Sequence, residues 1–420
     1  MKNKLIFVLL IGLVLRFFLI FVAFHGDLNN NFSWGDALLR YGAKGFYEQK
    51  VWLYSAPNQP PLYILLFGLT SFLNKNIGSL VWYLNNNLGV FPSSLVWFWQ
   101  NNGNIILLKL PSIFADLGIG YLIYFAFKSR KKEKMGLILA TIWLFNPITM
   151  YNSSVWGQTD PIVNLFGLVS ILALLRKDLK FTVLFIVISL LFKGSLIIFL
   201  PVILLVLILQ KHSMEKWIKA FLLSGVVTVL ITFWFHPSID LPIWLFNLYT
   251  NRFFPGEIGY LTANGFNLWY LVDPGKVLDS VKYFGFTAHT LGYLITFVIL
   301  GTVILKTKEK ILEEKTILFL LAISALTTFL FFTRIHERYL YPFFPVATLL
   351  IGFMPEFFIP YLVLTFTFLL NMYNLFWAPG IASLVSTFEN TQLPSIVSLT
   401  NLVTLFSSVF LFFKKPKVHH

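Results

Sequence analysis

The chain contains no cysteine, which excludes disulfides, thiolate metal sites and cysteine nucleophiles. Charge is scarce as well. Only 12% of the 420 residues are Asp, Glu, Lys or Arg, against about 25% in soluble domains, so the chain lacks the polar surface to face water on every side. In its place stand 57% hydrophobic residues, 47 Phe among them, and a mean hydropathy of +0.76. Apolar runs recur at the roughly 20 residues that a helix needs to cross a hydrocarbon core about 30 Å thick. These features predict an all-α, multi-pass integral membrane protein, in contact with membrane lipids throughout.

The formal net charge of +14 raises the question of nucleic acid, and the placement of the charge answers it. Twenty of the 32 Lys and Arg fall in six short segments: Lys2 with Lys4, then 128–134, 176–180, 211–219, 306–315 and 414–417. Cytoplasmic loops concentrate Lys and Arg, and all six segments fall on one side if the N-terminus is cytoplasmic. Topology therefore accounts for the charge, and no nucleic-acid partner is expected. The 12 Trp and 17 Tyr are candidates for interfacial belts. The first apolar run, 5–24, is long for a cleavable signal and reads as a signal anchor.

Beyond it, 25–104 forms a long non-cytoplasmic segment. Its apolar stretch 62–73 is short for a span and reads as an interfacial or re-entrant helix. The Asn-rich stretches 74–87 and 101–104 read as surface loop. Further spans are expected at about 105–127, 136–151 and 161–175. The run 181–210 reads as two short helices broken at Lys193-Gly194. A span at about 217–235 precedes a second non-cytoplasmic segment, 236–286. Spans at about 287–305, 316–333, 340–354, 357–376 and 394–413 complete a bundle of about 11–13 spans. Residues 1–413 form a single domain, and 414–420 form a cytoplasmic tail whose closing His419-His420 are set aside as a tag remnant.

Ionisable residues are costly within spans, about 2.5–3.5 kcal/mol each on insertion scales, so those outside the basic segments mark candidate chemistry. Asp27 follows the first run, and Asp36 lies nine residues on, after Trp34. A carboxylate here suits a general base or caps a helix beginning near Asn31. Asp116 lies two helical turns after Lys109 on the same helix face, which suggests a packing pair or polar lining. Trp156-Gly-Gln-Thr-Asp160-Pro161 follows Asn146-Pro147. Asp160 fits an N-cap with Pro at the first helical position, while Trp156, Gln158 and Asp160 together also suit a sugar, whose ring an aromatic face covers and whose hydroxyls the polar pair binds. Arg334-Ile-His336-Glu337-Arg338-Tyr339 is a solvated turn or an anion site. Its two Arg, with Lys193, suit one phosphate through charge-assisted hydrogen bonds. No phosphate-binding glycine loop, dinucleotide fingerprint or nucleophile elbow occurs.

In order along the chain, these elements resemble the GT-C superfamily of membrane glycosyltransferases, in particular the prokaryotic mannosyltransferase-like branch related to the second GPI mannosyltransferase. The resemblance is carried by Asp27, Trp34, Gly45-Phe-Tyr47 and Pro60-Pro61-Leu-Tyr63, then by Lys109-Leu-Pro-Ser-Ile-Phe-Ala-Asp116, Asn146-Pro and Val155-Trp-Gly-Gln-Thr-Asp160. Phe192-Lys193, Asn264-Gly-Phe-Asn267-Leu-Trp269 and His336-Glu-Arg-Tyr-Leu-Tyr341-Pro342 continue it.

The resemblance implies a GT-C-type bundle with amphipathic outer-loop helices. It implies an inverting transfer of a monosaccharide, mannose favoured, from a polyprenyl-phosphate donor to a lipid or glycan acceptor on the non-cytoplasmic face. That face belongs to the plasma membrane in a prokaryote and to the endoplasmic reticulum in a eukaryote. Asp27 takes the position of the base, with Asp36 as the alternative. Lys193, Arg334, His336 and Arg338 fall near the donor phosphate, and Trp34, Trp156, Gln158, Asp160, Glu337, Tyr339 and Asn267 around the substrates. The Asp-x-Asp or Glu-Asp pair with which some relatives bind a divalent metal is missing from the first outer loop, so neither metal nor other cofactor is expected. A transporter or flippase for a lipid-linked sugar is the main alternative, and it predicts pseudo-symmetric halves and polar groups at mid-membrane depth.

Overall fold

A computed structural model describes residues 2–254 and 258–414. Lys415, Lys417 and the closing histidines of the tail lie outside the described residues.

Helices dominate, because long apolar segments satisfy their backbone hydrogen bonds internally only as helices when water is absent. Among the described residues, six helices are long and apolar enough to cross a membrane: Pro61–Asn87, Ser93–Lys128, Ala288–Lys310, Glu314–Phe331, Pro355–Phe376 and Leu393–Phe413. Three shorter apolar helices, Asp160–Leu175, Leu179–Phe192 and Gly194–Leu209, pack among them. The expected 11–13 spans are not reached on length and composition. The helix Lys2–Leu19 carries Lys2, Lys4 and Arg16, and the 340–354 run yields only Phe343–Ile351. Glu314–Phe331 is buried from Thr316 onward and runs through the main apolar core.

The reading of the first outer segment needs correction. Residues 74–87 are not loop but the second half of the 27-residue helix Pro61–Asn87, and 101–104 lie within the 36-residue helix Ser93–Lys128. The Asn side chains do not break these helices because they bond back to the carbonyl four residues earlier, Asn76 to Phe72, Asn87 to Tyr83 and Asn102 to Phe98. Between them Leu80, Trp82, Tyr83, Trp97 and Phe98 face outward. The helix placed near Asn31 begins at Asp27 and runs to Tyr41. It packs closely on Pro61–Asn87 at Gly35, where a Cβ would fall 2.2 Å from the Phe67 carbonyl oxygen.

Lys109 and Asp116 are not partners. Two turns of helix separate them by about 10 Å of rise, and each finds other groups. The Lys109 ammonium donates to the carbonyls of Ile20, Ala23 and Val155 at 2.8–2.9 Å, tying the end of the first helix to the 151–156 turn. Asp116 is fully buried. It accepts from Arg16 Nε at 3.3 Å and from the Tyr341 hydroxyl at 2.7 Å. Arg16 also donates to the Leu144 carbonyl and to Thr149. This network joins the first helix, Ser93–Lys128, the 144–149 turn and the 341 turn, all near the candidate site.

Candidate active site

Four chain breaks meet at one end of the bundle: the 20–27 turn, the 151–160 turn, the interruption at Lys193, and the 332–342 segment. Each break has a local cause. After a wide turn over Tyr151–Trp156, Gly157 takes a left-handed conformation, φ +86°. A side chain there would be strained and would press to 3.0 Å on Leu28 and Lys109. The chain then reverses into Asp160–Leu175. Leu179–Phe192 stops at Lys193, whose extended backbone starts a short 3-10 segment. The 332–342 segment is held by backbone bonds from Ala263 and Gly265 to the Ile335 carbonyl.

Asp160 does not cap its helix. Thr159 occupies that position without a side-chain bond, and the Asp160 carboxylate is drawn inward by stronger partners. It takes the Lys193 ammonium at 2.7 Å on one oxygen and Asn152 at 3.3 Å on the other. Arg338 donates to the fully buried Glu337 at 2.5 Å. Lys193 and Arg338 both lie over the Tyr339 ring, at 5.6 and 6.0 Å. Arg338 also covers Trp156 at 5.7 Å. Trp156 is wholly buried between Arg338, His25, Tyr151 and a stacked Phe376. It is thus a floor beneath Arg338 and not an open face for a sugar ring, a correction to the expected wall.

Asp27 stands beside this cluster. One of its oxygens accepts from Gln158 Nε2 at 2.7 Å, and its side chain is 42% exposed. Its backbone N–H donates to His25 Nδ1 at 3.1 Å, which leaves that nitrogen without a proton. Burial lowers the His25 pKa, Asp27 opposes this, and Arg338 reinforces it. Glu337 is pushed up by burial, but Arg338 and His336 outweigh this and hold it down to about 2. Burial works against the charge on Arg338, yet Glu337, Asp27 and Asp160 together raise its pKa.

A cavity of about 710 Å³ opens against this cluster. Asp160, Lys193, His336, Arg338 and Tyr339 line its polar end, together with Asn58 and Gln59 of the loop between Tyr41 and Pro61. Ile197, Ile198, Pro201, Leu300 and Phe329 line an apolar limb between the helices. Arg334 lines it too, but faces a different carboxylate. Its Nε and Nη2 donate to Asp279 at 2.7 and 3.1 Å. Burial raises the Asp279 pKa, but the bonds from Arg334 and Thr333 bring the net shift downward. The three cations expected to share one phosphate are therefore each matched to its own carboxylate.

The remaining candidates lie outside this cluster. Asp36 pairs with Arg40 one turn along the same helix at 2.7 Å. Trp34 is buried and donates to the Ser55 carbonyl, anchoring the loop that carries Asn58 and Gln59. Asn267 accepts from the Trp269 and Tyr270 N–H groups, capping a short helix, and donates to the Phe329 and Phe332 carbonyls. Its polar atoms are thereby committed to the scaffold. Three residues that the sequence did not single out are Arg16 and Asp279, the partners of Asp116 and Arg334, and His289, which lines the cavity. Among the described residues, no three His, Asp or Glu side chains converge as metal ligands do. No protein-family model matches the chain, and no curated protein matches it.

Proposed function

We propose that the chain is an inverting glycosyltransferase that moves a monosaccharide, mannose favoured by the resemblance, from a polyprenyl phosphate to a lipid or glycan acceptor on the non-cytoplasmic face. The observation that carries this reading is the state of Asp27. The neighbouring carboxylates are committed to cations, Asp160 to Lys193 and Glu337 to Arg338 within the cluster and Asp279 to Arg334 beyond it. Asp27 is held by the neutral amide of Gln158, with one oxygen open and the side chain partly exposed. Gln158 thus orients the Asp27 carboxylate while lone pairs on it remain free to take up a proton, the geometry a general base requires.

In the proposed step the acceptor hydroxyl attacks the anomeric carbon from the face opposite the phosphate. The new C–O bond forms as the bond to the phosphate oxygen breaks, and the leaving phosphate keeps that electron pair. The hydroxyl proton passes to Asp27. The phosphate diester, singly charged, becomes a doubly charged monoester, and Lys193 and Arg338 at the polar end of the cavity attract the added charge. The apolar limb suits the prenyl chain.

The test is incubation of the purified protein in lipid with radiolabelled polyprenyl-phosphate mannose and membrane lipid acceptors. The expected result is a labelled product with inverted anomeric configuration. No transfer from mannose, glucose or arabinose donors, combined with movement of the lipid-linked sugar across a vesicle membrane, would replace the enzyme reading with a transporter.

A further inference from the structure

On the cavity wall formed by the 332–336 segment and the helix Ala288–Thr307, a second cluster has no part in the proposed chemistry. The buried carboxylate of Asp279 takes two donors from Arg334 and the Thr333 hydroxyl at 2.9 Å. His289 completes the set. Its Nδ1 lies 3.0 Å from Thr333 Oγ1 and 3.2 Å from Asp279 Oδ2. The direction of these bonds follows from what each group can do. An ionised carboxylate only accepts, so the Thr333 proton points to Asp279 and its oxygen is left to accept. Both neighbours of Nδ1 are thus acceptors, and Nδ1 carries the ring proton.

With its proton on Nδ1, a neutral imidazole presents Nε2 as a bare acceptor. The His289 ring is fixed there. Its backbone N–H donates to the Asp279 carbonyl at 3.2 Å, and Tyr293 meets it edge-on at 4.6 Å while packing on Phe332 at 4.5 Å. His289, Thr333 and Arg334 line the same cavity as Lys193 and Arg338, and the His289 side chain is 38% exposed. No group of the protein donates to Nε2 among the described residues. A pinned acceptor on the wall of a ligand cavity selects a ligand that carries a donor there, and a neutral hydroxyl fills that requirement.

We propose that His289 Nε2, held by Thr333 and Asp279, accepts a hydrogen bond from one hydroxyl of the transferred sugar and so reads that position. The inference rests on the glycosyltransferase reading and adds a specificity residue to it. His289 makes no bond to the reacting atoms. It sets which sugar fits.

The experiment compares wild type, His289→Asn and His289→Gln on polyprenyl-phosphate mannose and on donors lacking the 2-, 3-, 4- or 6-hydroxyl. Asn places a donor near Nδ1, so it preserves the bond to Thr333 and removes the acceptor. Gln returns an amide oxygen near Nε2. Wild type should lose about tenfold in kcat/KM on one deoxy donor, the worth of one neutral hydrogen bond. His289→Asn should lose about the same on the intact donor, mainly through KM, and be indifferent to that one hydroxyl. His289→Gln should recover part of the loss. The proposal is overturned if His289→Asn keeps wild-type kinetics, or if every deoxy donor costs wild type and His289→Asn equally. A wild type that transfers no sugar at all removes the underlying function, and this inference with it. Transfer without coupling between residue and hydroxyl removes this inference alone.

Discussion

Gln158 donates from Nε2 to Asp27 across 2.7 Å, and this bond joins the helix Asp27–Tyr41 to the turn that also delivers Asp160. Gln158 is buried and follows the left-handed Gly157 directly, so its amide is aimed by the backbone. Replacing Gln158 by Ala should leave Asp27 chemically intact but unoriented. The expected loss in kcat is about tenfold, short of the loss from removing the base itself, about 10²–10⁴. Rates on a saturating donor check this, with Asp36→Asn as the control. Asp36 pairs with Arg40 away from the cavity, and its substitution should leave kcat within about twofold.

Lys193 and Asp160 form a largely buried pair at 2.7 Å. Removing one partner strands the other's charge, at a cost of about 3–5 kcal/mol. Lys193→Met should therefore lower the thermal midpoint sharply, and Lys193→Met with Asp160→Asn should restore much of it. Both variants should lack activity. Thermal unfolding in detergent separates the two effects.

The Arg16 and Asp116 pair makes a parallel case with no catalytic consequence of its own. Both side chains are fully buried, and Tyr341 and Thr149 complete their bonds. Arg16→Met should destabilise by about 3–5 kcal/mol. Tyr341→Phe removes one hydrogen bond to a charged group and should cost about 1.5–3 kcal/mol. Denaturation of the solubilised protein orders the two.

Acid should act through Glu337. Its folded pKa lies near 2, below its ordinary 4.5, because Arg338 and His336 outweigh burial. A depressed carboxylate contributes its full stability above the ordinary value and loses it as pH falls through the folded one. The thermal midpoint of the wild type should fall more steeply between about pH 5 and about pH 3 than that of Glu337→Gln, which has no such proton to gain. Parallel curves for the two proteins would contradict the assignment.

How far the sequence announced this arrangement varies with the kind of signal. The break at Lys193 was legible because a charged residue and a glycine interrupt an otherwise apolar run, and the structure stops a helix there. The 334–338 turn was legible because ionisable groups crowd between apolar segments. The helices Pro61–Asn87 and Ser93–Lys128 were not, since Asn marks loops in water but here returns its amide to the helix backbone. The partners of these charges were also hidden. Arg16 lay inside a run read only for hydropathy. Asp279 sits in an irregular loop with no period to report its burial, and it meets Arg334 only because the 260–265 backbone pairs with the 334–336 segment.

The most direct measurement is a single turnover of labelled polyprenyl-phosphate mannose by Asp27→Asn, run beside donor binding by the same protein. The account predicts that Asp27→Asn binds donor as wild type does, within about threefold, and forms product at least about a hundredfold more slowly. Product formed at the wild-type rate by Asp27→Asn, with Asp36→Asn inactive in its place, would contradict it.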